Sequence, residues 1–195
     1  MTKAALRDTR AVILDSAESV VARDGVANLT FEAVAAEARI SKGGVLHHFR
    51  SKEDLATAMI ERSIAWFDDA VRKAARSEKS RSGTFTRAYV RASVGDTPDT
   101  GDRFDRICAS ITTALLNFPD RLARVREQGA RNQHAFEADG LDPVLATIIR
   151  LAIDGLWLSE NFKMMEFDPA MKSAVIERLI AWTRAPTRRD KLATS

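Results

Sequence analysis

The sequence predicts an all-α protein: a three-helix head that contains a helix-turn-helix, followed by a larger helical domain. Three observations lead there. Apolar residues recur at helical spacing, as Phe31, Val34, Ala35 and Ala38 do, and no run alternates with the period of two that a strand requires. Capping residues stand at regular starts, Thr30 (or Asn28 just before it), Ser41 and Ser51. Glycines, prolines and polar runs such as SEKSRSG at 77–83 then cut the chain into helix-sized lengths.

Residues 6–24 form the first helix, with Leu6, Ile13, Ala17, Val20 and Val21 inward and Gly25 closing it as a left-handed cap. The second carries the Phe31 face for two to three turns, until Glu37-Ala38-Arg39 ends it. Ser41 caps a third helix, Lys42 to His48, whose inward side is Val45 and Phe49. Barely two turns long, it cannot stand alone in water, and its neighbours must hold it. Its exposed side shows Lys42, Gly43, Gly44, His47 and His48, small and donor-bearing, a surface that can approach a major groove closely. Leu46 either packs on a thymine methyl or joins the core. Ser51 opens a fourth helix through Leu55, Met59, Ile60, Ile64, Trp66 and Phe67 to about Ala75, too long to serve the head alone and read as a mechanical link. Lys52 falls in its first turn, where the helix dipole disfavours a cation, so an external anion explains it better.

At these residues the chain resembles the N-terminal domain of the tetracycline-repressor-like (TetR) family, homodimeric bacterial transcriptional regulators whose C-terminal domain usually binds a small molecule. The likeness is carried by Arg10, Ile13, Leu14, Ala17 and Gly25; by Leu29, Thr30, Val34, Ala35 and Ala38; and by Ile40, Ser41, Lys42, Gly43, His48, Phe49, Ser51, Lys52 and Leu55. It implies a recognition helix at Lys42 to His48, phosphate contacts by Thr30, His48 and Lys52, and binding controlled by a ligand. Two positions depart from the family pattern: Gly44 stands where threonine is common and Leu46 where an aromatic is common. Both strip hydrogen-bonding groups from the reading face.

Beyond the head, residues Arg72 to Arg91 hold seven Lys or Arg against Glu78 alone, which reads as a solvated face. Helices are expected over Phe85–Val94, Arg103–Leu116 and Arg121–Ala138, the last with Leu122, Val125, Gly129 and Phe136 inward. The turn-rich GDTPDTGD, Pro119 and Gly140 separate them. Pro143–Phe162 and Met171–Trp182 are the most apolar helices, and 186–195 is a polar tail. The expected domains are thus 1–54, with the last helix running on, and 55–185, for ligand binding and dimerisation.

A helix apolar on two sides is buried on two sides, one against its own core and one against a partner. The partner side is assigned to Leu145, Ile149, Ala152, Gly155, Leu156 and Ser159, with Ile176 and Leu179 from the last helix. Leu151, Leu158 and Phe162 form the other side. The segment Leu151–Leu158 also resembles one found near this position in the family. A small hydrophobic or aromatic effector is expected among Trp66, Phe67, Phe85, Tyr89, Phe104, Cys108, Phe118 and Trp157, with Tyr89 and Trp157 as polar handles.

The bulk properties bound the alternatives. Residues 1–56 hold eight charges of each sign, so charge alone would not nominate the head for DNA. The single Cys108 fits a reducing compartment, and the charged start and a longest uncharged run of 13 residues predict neither signal peptide nor membrane span. A cytoplasmic protein is expected. His47 and His48 are adjacent and His134 is isolated, giving no metal-ligand spacing, and no catalytic motif is present, so neither an enzyme nor a cofactor is expected. The reading is a repressor that binds a double-stranded, palindromic operator as a homodimer and is released by its effector. The alternative is a dimeric DNA-binding regulator with no small-molecule inducer.

Overall fold

The computed structural model describes residues 3–95 and 123–184, with side chains from residue 9 onward. Every regular element among them is helical: α1 (Lys3–Asp24), one 3-10 turn (Val26–Asn28), α2 (Phe31–Ala38), α3 (Lys42–His48), α4 (Lys52–Arg76), α5 (Thr84–Ser93), α6 (Ala123–Glu137), α7 (Pro143–Asn161) and α8 (Pro169–Trp182). They fall into two compact units that divide between Ala65 and Trp66 within α4 and between Arg124 and Val125 within α6. The expected helix at 103–116, Pro119, Leu122 and the tail lie outside the described residues.

In the first unit the three caps form as their spacing dictates. Thr30 Oγ1 accepts from the Ala33 amide at 3.1 Å, Ser41 Oγ from Gly44 at 3.1 Å, and Ser51 Oγ from Asp54 at 3.0 Å. Each satisfies an amide that the helix itself leaves unpaired. Ile13, Ala17, Val34, Val45, Leu55 and Met59 close the core between the helices. One charge enters it: Glu18, 2% exposed, accepts from Arg62 Nε at 2.7 Å, and Arg62 Nη1 reaches Asp15 at 2.8 Å, tying α1 to α4. Gly25 has the positive φ expected of it, 80°, but with ψ 162°, so it is not a left-handed helical cap. It turns the chain into the 3-10 step instead, while Arg39, a non-glycine, takes the left-handed position after α2 at φ 55°.

The second unit packs α5 against α7 and α8 around Tyr89, Phe136, Ala146, Ile149, Ile153 and Leu179. Asp142 and Asp168 cap α7 and α8, each followed by proline at the first helical position. Two expectations fail here. Val125 is exposed, and Gln128 takes the buried place on α6 instead. The basic stretch from Arg72 is not simply solvated. Arg87 is 1% exposed; its Nε donates to Glu78 at 2.6 Å, its Nη1 to Thr183 Oγ1 at 3.2 Å and its Nη2 to the Ser82 carbonyl at 3.0 Å. The lone acid of that stretch is the counter-charge that lets the guanidinium enter the core. Gly83 permits this, because a Cβ there would stand 2.5 Å from Arg87 Nη1.

Candidate nucleic-acid interface and aromatic interior

Val45 (0% exposed) and Phe49 (3%) anchor α3 in the core of the head, which fixes what the opposite side presents. Lys42, Gly43, Leu46 and His47 lie on that exposed side, with Gly44 and His48 half-buried at its margins and Lys52 exposed at the start of α4. Leu46, at 40% exposure, is therefore not a core residue. The His47 and His48 rings meet edge to face at 5.3 Å. Burial, then His47 and Arg10, push the His48 imidazole below the ordinary histidine range.

The glycines carry the sharpest argument. A Cβ on Gly43 would approach nothing closer than Ser41 Oγ at 3.8 Å, and one on Gly44 only Ile40 and Ser41 at 3.5 Å, both ordinary contacts. The fold has room for alanine at both, and alanine would favour the helix by about 1 kcal/mol each. Packing within the fold therefore requires a bare backbone at neither position.

Two features of the head escaped the sequence reading. Lys42 Nζ lies 2.6 Å from Glu32 Oε1, so the leading cation of α3 is already engaged. Beside His48, a recess of about 290 Å³ is lined by Arg10, Arg50, Asp54, Thr57 and Glu61, with the Arg10 guanidinium 5.1 Å from the centre of the Phe49 ring. Neither Glu32 nor Arg50 belongs to an apolar period or a cap, the two signals that sequence reasoning used.

In the second unit the structure brings three of the expected ligand residues together. Tyr89 meets Phe67 at 5.0 Å and Phe85 at 6.0 Å between ring centres, and Phe136, read only as core, completes the cluster 5.0 Å from Tyr89. Trp66 is two-fifths exposed and Trp157 half-buried. Phe104, Cys108 and Phe118 lie outside the described residues. A polar chain borders the rings. The Tyr89 hydroxyl donates to Asp154 at 2.9 Å, Arg150 stands 3.5 Å from the other Asp154 oxygen and donates to Gln133 at 2.8 Å, and Gln128 donates to Asp68 at 2.7 Å. Burial pushes both the Asp68 and Asp154 carboxyls up, and with the Asp154 charge beside it pushes the Tyr89 phenol up strongly. The one trace of this in the sequence is Asp154, a solitary acid inside LAIDGLWL.

The dimer residues require a correction. Ile149, Leu156 and Leu179 are 0%, 6% and 3% exposed, spent on the core of their own unit, and Leu145, Ala152 and Ile176 pack against it. Ser159 is half-buried, and of the named set only Gly155 is exposed. The free stripe of α7 is the other side: Val144 (68%), Ile148 (48%), Leu151 (66%), Gly155, Leu158 (40%) and Phe162 (36%), at steps of four and three. Met171 and Trp182 are similarly exposed on α8. Both faces of α7 are apolar, so periodicity found two sides and could not say which the chain keeps for itself.

Among the described residues no three His, Cys, Asp or Glu side chains gather as metal ligands, and no helix is long and apolar enough to cross a membrane.

Residues 13–59 match the family model for "Bacterial regulatory proteins, tetR family", and residues 83–184 that for "Tetracyclin repressor-like, C-terminal domain". The HTH-type transcriptional repressor NemR of Escherichia coli (strain K12) is 22% identical over 142 residues, 73% of this chain and 71% of NemR. The HTH-type transcriptional regulator TtgR of Pseudomonas putida is 32% identical over 77 residues, 40% of this chain and 36% of TtgR. The crystal structure of the multidrug binding protein EbrR complexed with imidazole superposes with a TM-score of 0.63 at 25% identity, covering 92% of this chain and 97% of EbrR. A transcriptional regulator from Rhodococcus sp. Rha1 reaches 0.72 at 16% identity, covering 89% and 95%, a likeness of fold alone. With one family model on the reading head and another across the second unit, the chain belongs to the TetR family of bacterial transcriptional regulators and is a DNA-binding regulator rather than an enzyme.

Proposed function

We propose that this regulator is a repressor that grips a palindromic duplex operator as a homodimer and releases it when a small hydrophobic or aromatic effector enters the second unit. The observation that carries the reading is the solvent face of α3, where two glycines the fold does not need sit among Lys42, Leu46 and His47. In the major groove Lys42 donates to guanine or phosphate, His47 to a base edge, and Leu46 meets a thymine methyl. Thr30, His48 and Lys52 position the backbone.

A head of zero net charge binds weakly alone, so two must act together. The stripe Val144, Ile148, Leu151, Gly155, Leu158 and Phe162, with Met171 and Trp182, supports pairing of α7 and α8 with those of a second copy. For the effector, the Phe67, Phe85 and Tyr89 rings beside Asp154 supply apolar faces with a polar tip, and Trp66 and Trp157 are the further wall residues of the same unit. EbrR, a multidrug binding protein, is solved with imidazole, ethidium and malachite green, which supports an aromatic effector. Displacing Phe67 acts on α4, the same helix that places Leu55 and Met59 in the head's core. A few kcal/mol of preference for one of the two conformations is enough to empty the operator.

The test starts from duplexes selected by the protein out of a randomised pool. The Leu151→Glu/Leu158→Glu variant is expected to sediment as a monomer and to lose about 100-fold or more in affinity for the selected duplex, the share that linking two heads supplies. A wild-type protein that sediments at 21.6 kDa at micromolar concentration defeats the dimer. Affinity unchanged across a broad panel of aromatic and hydrophobic compounds defeats the effector and leaves an uninduced regulator.

A further inference from the structure

We propose that Glu32 is a positioning residue of the reading head: it holds Lys42 toward the base edges and away from the phosphates, and so sets the gap between operator and non-operator binding. This rests on the reading of α3 as the operator-reading helix. Glu32 lies in the first turn of α2 and Lys42 is the first residue of α3, so their contact, 2.6 Å from Nζ to Oε1, joins the two helices on the side that faces solvent. Their side chains are 65% and 53% exposed, and the pair contributes nothing to the core. The Lys42 contact, then the backbone of Glu32 itself, holds the Glu32 carboxyl below the usual range, and Lys52 adds to this.

The donor count explains how such a pair discriminates. An ammonium has three donors, so Lys42 can stay on Glu32 and still offer two to the O6 and N7 of a guanine. A phosphate contact asks more. The guanine acceptors are neutral, whereas a phosphate on the same ammonium brings a second anion up against the Glu32 carboxylate, so Lys42 serves it fully only by leaving Glu32 bare in the negative field of the backbone. Specific contact keeps the pair and non-specific contact breaks it. In a head with eight bases and eight acids, one cation withheld from the phosphates is a large share of the non-specific grip. The bland account is a weak surface ion pair whose acid merely suits the start of α2.

The experiment uses the full chain, wild type and Glu32→Gln, on a duplex selected by the wild type from a randomised pool and on a scrambled duplex of equal length, over a salt series. Glu32→Gln is expected to tighten scrambled binding about two- to fivefold, the range of an exposed pair, with a salt slope steeper by about 1. The selected duplex gains nothing, so the ratio between the two falls. In a Lys42→Met background the substitution no longer moves that ratio. An unchanged ratio in Glu32→Gln overturns the inference. So does an equal effect in the Lys42→Met background, where the carboxylate would be acting by its own repulsion. A wild type that does not separate selected from scrambled duplex overturns the reading of α3 and this inference together. Thermal midpoints within a few degrees of wild type show that every variant is folded.

Discussion

The two units are assembled by contacts of different range. In the head, Thr30, Ser41 and Ser51 each accept from an amide three residues on, and helices of 8 and 7 residues are placed by an apolar core. In the second unit the defining polar contacts join distant segments: Thr86 to Asp139, 53 residues apart, Tyr89 to Asp154, 65 apart, and Arg87 to Thr183, 96 apart. The head's chemistry is turned outward, with its charges on the surface save Glu18, which Arg62 meets from 44 residues away. The second unit hides its own: Arg87 is sunk in the core, and Asp154 lies beside aromatic rings. A surface that must accept DNA can be specified locally. An interior that must hold charge needs partners that one helix cannot supply: Glu78 reaches Arg87 across nine residues and a break between helices, and Thr183 reaches it across 96.

The largest expected effect breaks that contrast at Glu78. Removing its charge by Glu78→Gln leaves the Arg87 guanidinium in the core with only neutral partners, Thr183 and two carbonyls. A buried ion pair broken on one side costs about 3–5 kcal/mol. Urea unfolding followed in the second unit is expected to shift by that amount, and Arg87→Met introduced with Glu78→Gln is expected to recover most of it. A loss below about 1 kcal/mol would mean the pair is no more than a surface bridge.

The same contrast explains what was legible in the sequence. The head could be read because its signals are local: the Phe31, Val34 and Ala35 period, three caps, and the outward set Lys42 and His47 opposite Val45 and Phe49, with Leu46 left open until its exposure placed it outside the core. Glu32 was missed although it lies ten residues from Lys42, because the pairing crosses a turn and obeys no helical spacing. In the second unit, periodicity located α7 but not its orientation, since Ile149 and Leu151 are equally apolar and only packing on α5 decides that one is 0% and the other 66% exposed. Charge counting misread Arg87 for a related reason. Seven bases against one acid look like a solvated face unless the acid is known to fold back on that base.

A smaller effect, with two opposite signs, sharpens the claim that α3 is shaped from outside. Gly44→Ala adds a Cβ into ordinary contact with Ile40 and Ser41. The helix is expected to gain up to about 1 kcal/mol in stability, read as a raised thermal midpoint, while affinity for a selected operator falls because the backbone can no longer approach as closely. If stability and operator affinity rise together, the glycine serves no close approach.

The smallest effect is on pH, and it separates the head's outward chemistry from its fold. His48 is held below the ordinary histidine value of about 6.5, first by burial and then by His47 and Arg10. Around it also stand Arg50 on the cationic side and Asp54 and Glu61 on the acidic side of the same recess. In the free head the neutral ring is therefore favoured over the charged one. A phosphate oxygen placed against it favours the charged ring, so binding takes up a proton and affinity rises as pH falls below the ordinary value. One proton allows at most about a tenfold gain per pH unit. The fold responds with the other sign: a base whose folded value is depressed contributes stability that is complete above the unfolded value and is lost as pH drops through it. Between pH 7.5 and 5.5, operator affinity measured at constant salt is expected to climb while the thermal midpoint slips, and His48→Gln is expected to flatten the first trend relative to wild type. His47→Gln serves as the control, since under the proposed function that ring donates to a base edge and not to a phosphate. If His48→Gln leaves the pH dependence of affinity intact, His48 does not meet a phosphate and its depressed ionisation belongs to the packing of α3 on α1 and α4 alone.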